Sequence, residues 1–507
     1  MMLGKTPPPP VTPDNSNIQG LVIRGYTHPF SCHLMFSFKP NGITLNTKGF
    51  FSDLYPKVQS AVDWGNNKPV SMLNIGITFY GLQILGVAQK SQSTFPDEFQ
   101  QGPWSVASQQ SLGDFNDSAP SNWWYNNFQN ADLHCVVHAY ALTDTALTDI
   151  ISLITTSAKS NGLTEVFPLK SGDGRLYQSI IDNNPAKIHF GYTDGISEPA
   201  LGTPANMASR NQADLDNFVI GYPDYSIIDP APSGNVSTNP EAKFAFDGFY
   251  NAFRILYQDV AGFNNFLLAQ ATNPTNVAKL SYLGLNQDEL VEWFAAKLVG
   301  RWRNGSPLIL SPDAPDPATA QSEDFGYATA GVKSPNQDVP SSFKCPFSAH
   351  TRVANPRDQT LTPGEGNLGP VRIVRRGISY GVELEGNTDD GVDRGLIGLF
   401  LCGSIAQQFE KLYGWMNYNN FSPKPNFSVK NPPQDALLGN RPTSPNLNNY
   451  PGVVTTFTIP IQNPATPTQP DSIVISGLPE FIKTRGTAYC LMPSLKALNY
   501  LATGVMA

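Results

Sequence analysis

The chain has 507 residues, of which 40% are hydrophobic and only 15% charged, and its net charge is −8. Such a length exceeds one compact core and is natural for two domains, while the acidity argues against a nucleic-acid partner, which needs a basic face. No apolar run is long enough to span a membrane, and the five scattered cysteines, Cys32, Cys135, Cys345, Cys402 and Cys490, form no CxxC pair for zinc or an iron–sulfur cluster.

The proline-rich head, residues 1–16, reads as a flexible tail without the apolar core of a signal peptide. The protein is then either cytoplasmic or a mature form that has lost its leader. Five Asn-X-Ser/Thr sequons permit glycosylation, and a content of 44 prolines and 42 glycines is common in secreted proteins, so an extracellular setting is expected. GLVIRGY and SCHLMFSF read as strands, VSMLNIGITFYGLQILGVA as a strand turning into a short helix, and DLHCVVHAYAL as a buried strand. In TDTALTDIISLITTSAK, residues Leu147, Ile150, Ile151 and Ile154 make one apolar helical stripe. This order predicts an antiparallel sheet with helices on one face, an α+β layer.

From about 200 to 245 the text is loop-like, and the boundary between a first domain, 17–240, and a second, 241–507, is placed there. The second domain opens with AFRILYQDVAGFNNFLLAQA and DELVEWFAAKLVGRW, both helical by period. A loop-rich stretch runs from Ser306 to Lys344. RIVRRGISYGVE then reads as a strand, GLIGLFLCGSIAQQFEKLYGW as a helix and VVTTFTIPI as a strand.

Three stretches could carry chemistry. In HFGYTDGISEPA, from His189, the acid Asp194 stands among Phe190, Tyr192 and Ile196. Burial there should raise its pKa and suit it to moving protons, whereas an ordinary turn would use the Asp only to bond its own backbone. Histidine is scarce, with six in the chain. His134 and His138 fall in an apolar strand and read as structural. His350 lies in KCPFSAHTRVANPR with Arg352 and Arg357 close behind. A histidine among cations suits an anionic ligand, and haem offers both an iron for the imidazole and two propionates for the arginines. In RIVRRGISYG, neighbouring side chains of a strand point to opposite faces, so Arg375 and Arg376 cannot both enter one pocket.

Together these stretches resemble the dye-decolorising (DyP-type) haem peroxidases. Gly191-Tyr-Thr-Asp194-Gly195 is similar to their GxxDG motif, CPFSAHTRVANPR to their proximal-histidine segment, VRRGISYG to their distal-arginine segment, and DRGLIGLF, from Asp393, to the segment that follows. NIQGLVIRGY and GRWRNGSP are also similar to family segments. The likeness runs in order from about residue 17 onward, and length and loop-richness are most like those of the fungal members.

The resemblance implies two ferredoxin-like α+β domains, with one haem b held mainly by the second. It makes His350 the axial iron ligand, Asp194 the distal acid and Arg375 the distal arginine. Arg375 is chosen over Arg376 because the family's arginine stands five residues before the aromatic of its segment, here Tyr380. It implies propionate support from His189 and, more weakly, Arg352, and a cofactor contact from Leu396. Tyr380 and Trp415 stand where the family's surface electron-transfer sites fall.

The implied activity is reduction of hydrogen peroxide through a ferryl intermediate with oxidation of bulky aromatic dyes or phenols, and an acidic optimum. Two rivals are a haem carrier or sensor without turnover, and a secreted hydrolase that would need a second carboxylate opposite Asp194. In one respect the chain departs from the pattern: many relatives have Leu-x-Phe after Asp-Arg-Gly, whereas here Leu396 is followed by Ile397 and Gly398. Loss of that ring would widen the pocket unless a neighbour such as Phe400 fills it.

Overall fold

A computed structural model describes residues 13–39, 42–89, 91–129, 131–169, 172–202, 212–222, 239–330, 339–358, 372–418, 435–438, 456–467 and 471–505. The expected tail up to residue 12 lies outside the described residues, as does 223–238 just before the boundary placed at 240.

The first half runs β1 (Phe30–Ser37), α1 (Thr47–Leu54), β2 (Ser71–Ile77), β3 (Cys135–Ala141), α2 (Asp144–Ser160) and β4 (Thr164–Val166). Its strands lie side by side in the order β4-β1-β3-β2, all antiparallel. The second half repeats the scheme with β5 (Phe249–Gln258), α3 (Val260–Thr272), α4 (Gln287–Val299), α5 (His350–Ala354), β6 (Ile378–Tyr380), β7 (Gly395–Cys402), α6 (Lys411–Tyr418) and β8 (Ile482–Met492). Here the order is β8-β5-β7-β6, again antiparallel. Each half is thus the βαββαβ layer of a ferredoxin-like fold. The two are joined edge to edge where Leu491 of β8 pairs with Ile77 of β2, so one sheet runs through both.

The elements follow from local chemistry. In α2 the stripe Leu147, Ile150, Ile151 and Ile154 is buried against the sheet, and the Thr143 side chain caps the helix by accepting the Ala146 N–H. Helix α4 starts with a capping box between Asn286 and Glu289 and ends at Gly300, whose φ of +92° a β-carbon would oppose.

Three expectations need correction. AFRILYQ is the end of strand β5 and not the start of a helix, and GLIGLFLC is strand β7 before helical structure resumes at Ile405. Both strands are central and buried on both faces, so neither shows the period-2 alternation of a half-exposed strand. GLVIRGY forms only a 3-10 turn, Gly20–Val22. The final strand β8, which sequence reading passes over, joins the halves.

All five cysteines are free and buried. Among the described residues no helix is long and apolar enough to cross a membrane.

Candidate active site

Between the helices of the second half and the face of its sheet lies a cavity of about 1600 Å³, counted out to its open mouth. Asp194, His350 and Arg375 all line it. Leu256, Val299, Leu412, Met416 and Leu437 give it largely apolar walls.

Asp194 is delivered by a turn. Its N–H bonds the Ala186 carbonyl at 2.8 Å, and the next residue, Gly195, takes φ +75°, where a side chain would be strained. Phe190, Tyr192 and Ile196 are buried around it as expected, yet the Asp194 side chain keeps 35% exposure through the cavity. Arg375 reaches it from the two-residue strand Val374–Arg375, with Nη1 donating to Oδ1 at 3.1 Å.

The same guanidinium also meets Glu198, Nη2 to Oε1 at 3.0 Å, and the Arg375 N–H donates to Glu198 Oε2 at 2.9 Å. Burial pushes the Asp194 carboxyl up, but Arg375, the Gly195 N–H and His350 together outweigh it. The net displacement is below the ordinary 3.8. The expected upward shift is therefore reversed, because the carboxylate is buried with a cation and not with apolar groups alone.

His350 opens α5, and its Nδ1 lies 2.8 Å from Oδ2 of the wholly buried Asp435. Asp435 is held in turn by the N–H groups of Leu437 and Leu438, which donate to its Oδ1 at 2.9 and 2.7 Å. With Nδ1 so engaged, Nε2 is the ring nitrogen left for a ligand. Burial lowers the imidazole pKa, and Asp435 more than offsets this, so it sits above 6.5.

Arg301, Arg357 and Arg372 also line the cavity. Arg301 donates to Gly305 O at 2.7 Å and Ser197 Oγ at 2.9 Å, and Arg357 donates to the Glu323 carbonyl and stacks over Phe325. Burial, and after it the charge of Arg357, lower Arg372 to about 10, with Glu198 working the other way. Burial likewise takes Arg301 to about 10. Cations crowded enough to repel one another are suited to hold an anionic ligand.

Other expected residues fall elsewhere. Arg352 is fully buried with its guanidinium on the Cys345 carbonyl and on Ser341 Oγ at 2.8 Å, under Tyr327 and Phe347, so it is structural and not a propionate ligand. His189 does not line the cavity; its Nε2 bonds the Tyr380 carbonyl at 2.8 Å. Arg376, the arginine left out of the pocket, caps the carbonyls of Leu21 and Val22 at 2.8 and 3.2 Å.

Tyr380 is only 2% exposed, donates to Asp393 Oδ1 at 2.6 Å and lies under Trp124, so it is not a surface site. Trp415 falls in α6, and its side chain lies outside the described residues. Leu396 does line the cavity, and so does Phe400. His134 and His138 are buried and bonded, His138 to His33 at 2.7 Å, in keeping with structural roles.

Sequence reading does not single out Glu198 or Asp435. Glu198 stands in the same glycine-turn segment as Asp194, and Asp435 is the one acid in the apolar DALL. Glu198 is not the opposed acid that a hydrolase would need, since both carboxylates grip the same guanidinium.

No family model matches the chain. A dye-decolorizing peroxidase of Mycena epipterygia is 28% identical over 80% of this chain and 73% of its own length. Another, of Auricularia auricula-judae, is 29% identical over 88% of this chain and 79% of its own. The crystal structure of a fungal DyP-type peroxidase from Auricularia auricula-judae superposes with a TM-score of 0.72, covering 97% of this chain and all of that one, at 24% identity. In sequence over most of the chain, and in fold over nearly all of it, this protein is similar to fungal dye-decolorizing peroxidases.

Proposed function

We propose that the chain is a haem peroxidase that reduces hydrogen peroxide at Asp194 and Arg375 and draws electrons from bulky aromatic compounds such as dyes. The observation that carries this reading is one cavity lined by a carboxylate paired with an arginine and by a histidine whose far nitrogen is held by a buried acid.

The residues present fit haem b. The imidazole of His350 would take the iron, the apolar walls the macrocycle, and Arg357 and Arg372, with Arg301 behind them, the propionates. Leu396 would contact the ring from the sheet. Bound haem supplies the metal that takes up peroxide and stores the two oxidising equivalents released when its O–O bond breaks.

The chain's own part is proton and charge handling. Asp194, kept ionised by Arg375, accepts the proton of the near peroxide oxygen and returns it to the far one, which leaves as water. Arg375 steadies the negative charge that grows on that leaving oxygen. Two electrons and two protons from outside complete the cycle, giving a second water. In the rival carrier or sensor, nothing would require a paired acid and arginine over the ligand.

An extracellular setting belongs to the same proposal and is supported by the sequons and the proline and glycine content. The test is a haemin-reconstituted protein followed by its Soret band and by peroxide-dependent bleaching of an anthraquinone dye. Asp194→Asn should keep the Soret band and slow peroxide reduction by about a hundredfold or more. Full activity in that variant would mean that another group moves the proton.

A further inference from the structure

Leu396, Gly398 and Phe400 alternate along β7, and all three line the cavity, as residues on one face of a strand must. Gly398 leaves a gap in that row, and Phe400 folds back across it. A Cβ built on Gly398 would stand 2.5 Å from Phe400 Cε2 and 2.8 Å from its Cζ, so a side chain at 398 and this placement of the ring exclude each other. The strand register sets Phe400 directly opposite Arg375, where paired side chains share a face. Behind the ring stand Phe409 and Tyr413, with centroids 5.4 and 6.2 Å away. They come from the π-helical turn Ile405–Glu410 and from α6.

We infer that Phe400, standing in the space that Gly398 vacates, sets the width of the cavity beside Arg375 and thereby which molecules can stand next to Asp194. Small ligands such as peroxide or cyanide pass the ring, whereas planar aromatics larger than a bare imidazole, such as phenylimidazole, are turned away. This inference rests on the haem reading above. Positions 398 and 400 act in opposite senses: removing the ring opens the space over Gly398, whereas a side chain at 398 drives the ring toward Arg375. A glycine is needed here for room and not for an unusual backbone, because Gly398 is not among the positive-φ residues.

The experiment titrates haemin-loaded wild type, Phe400→Ala and Gly398→Val with cyanide, imidazole and phenylimidazole, reading the Soret shift. Phe400→Ala should tighten phenylimidazole about tenfold or more relative to cyanide. Gly398→Val should weaken imidazole about tenfold relative to cyanide. If the ring merely supports Phe409 and Tyr413, Phe400→Ala will lower thermal stability and leave the phenylimidazole-to-cyanide ratio at its wild-type value, which overturns the inference. Should Phe400→Ala fail to fold, Phe400→Leu carries the same comparison, with the same ratio deciding. A wild-type preparation that takes up no haemin shows no Soret band at all, and that result removes the haem reading itself.

Discussion

At Asp194 two influences of opposite sign meet: burial favours the neutral acid, while Arg375 and its neighbours favour the carboxylate and prevail. A carboxylate with a depressed pKa keeps its charge above that pKa and loses it as pH falls through it. The proton-accepting form therefore persists into acid, and the acid limb of the peroxide-reduction profile should lie below 3.8. Arg375→Met removes the largest downward influence, so it should slow the step and move that limb to higher pH. An acid limb that stays where it was in the variant would assign the limb to another group. The glycine turn in the sequence located this acid, but the sign of its shift was not legible there. Its cation lies 181 residues away along the chain.

Among the elements, the strand Val374–Arg375 brings Arg375 into the cavity, while Arg376, just past its end, turns to the carbonyls of Leu21 and Val22, and both guanidiniums meet Glu198. The turn at 435–438 is an element of the site in its own right. It fixes Asp435 through two backbone N–H groups, ties Ala436 N–H to the Ser348 carbonyl and so clamps the start of α5. Asp435→Asn keeps the shape and removes the charge on His350 Nδ1. Haem should then be lost to an acceptor protein about 10–100 times more readily, as measured by the Soret band. Unaltered retention would show that the clamp and not the charge holds the imidazole.

Across the whole molecule, the halves are coupled by one sheet and by buried polar groups that cross it. Gln19, in NIQG, donates to the carbonyls of Ile75 and Pro493 at 2.9 and 2.8 Å, bridging the β2 edge and the chain just after β8. Arg254 of β5 is wholly buried on Asp114, with Nη2 to Oδ1 at 2.6 Å, and also bonds Thr484 and Thr487 of β8. Asp114→Asn would strand that cation in the core and should cost about 3–5 kcal/mol of unfolding free energy, read by denaturant titration. A loss much smaller than this would mean that the two threonines alone satisfy the guanidinium.

The sequence by itself determined the α+β class, the amphipathic helix α2, the glycine turn that carries Asp194 and the candidacy of His350 and Arg375. These are written in short-range period, turn chemistry and ordered motifs. Only the tertiary structure decided the strand identity of Phe249–Gln258 and Gly395–Cys402, since burial on both faces erases the alternation that marks a strand. It alone brought Glu198 to Arg375, Asp435 to His350, and the Phe400 ring over Gly398. Those contacts depend on how two distant segments face each other across a packed cavity, and no local pattern encodes that distance.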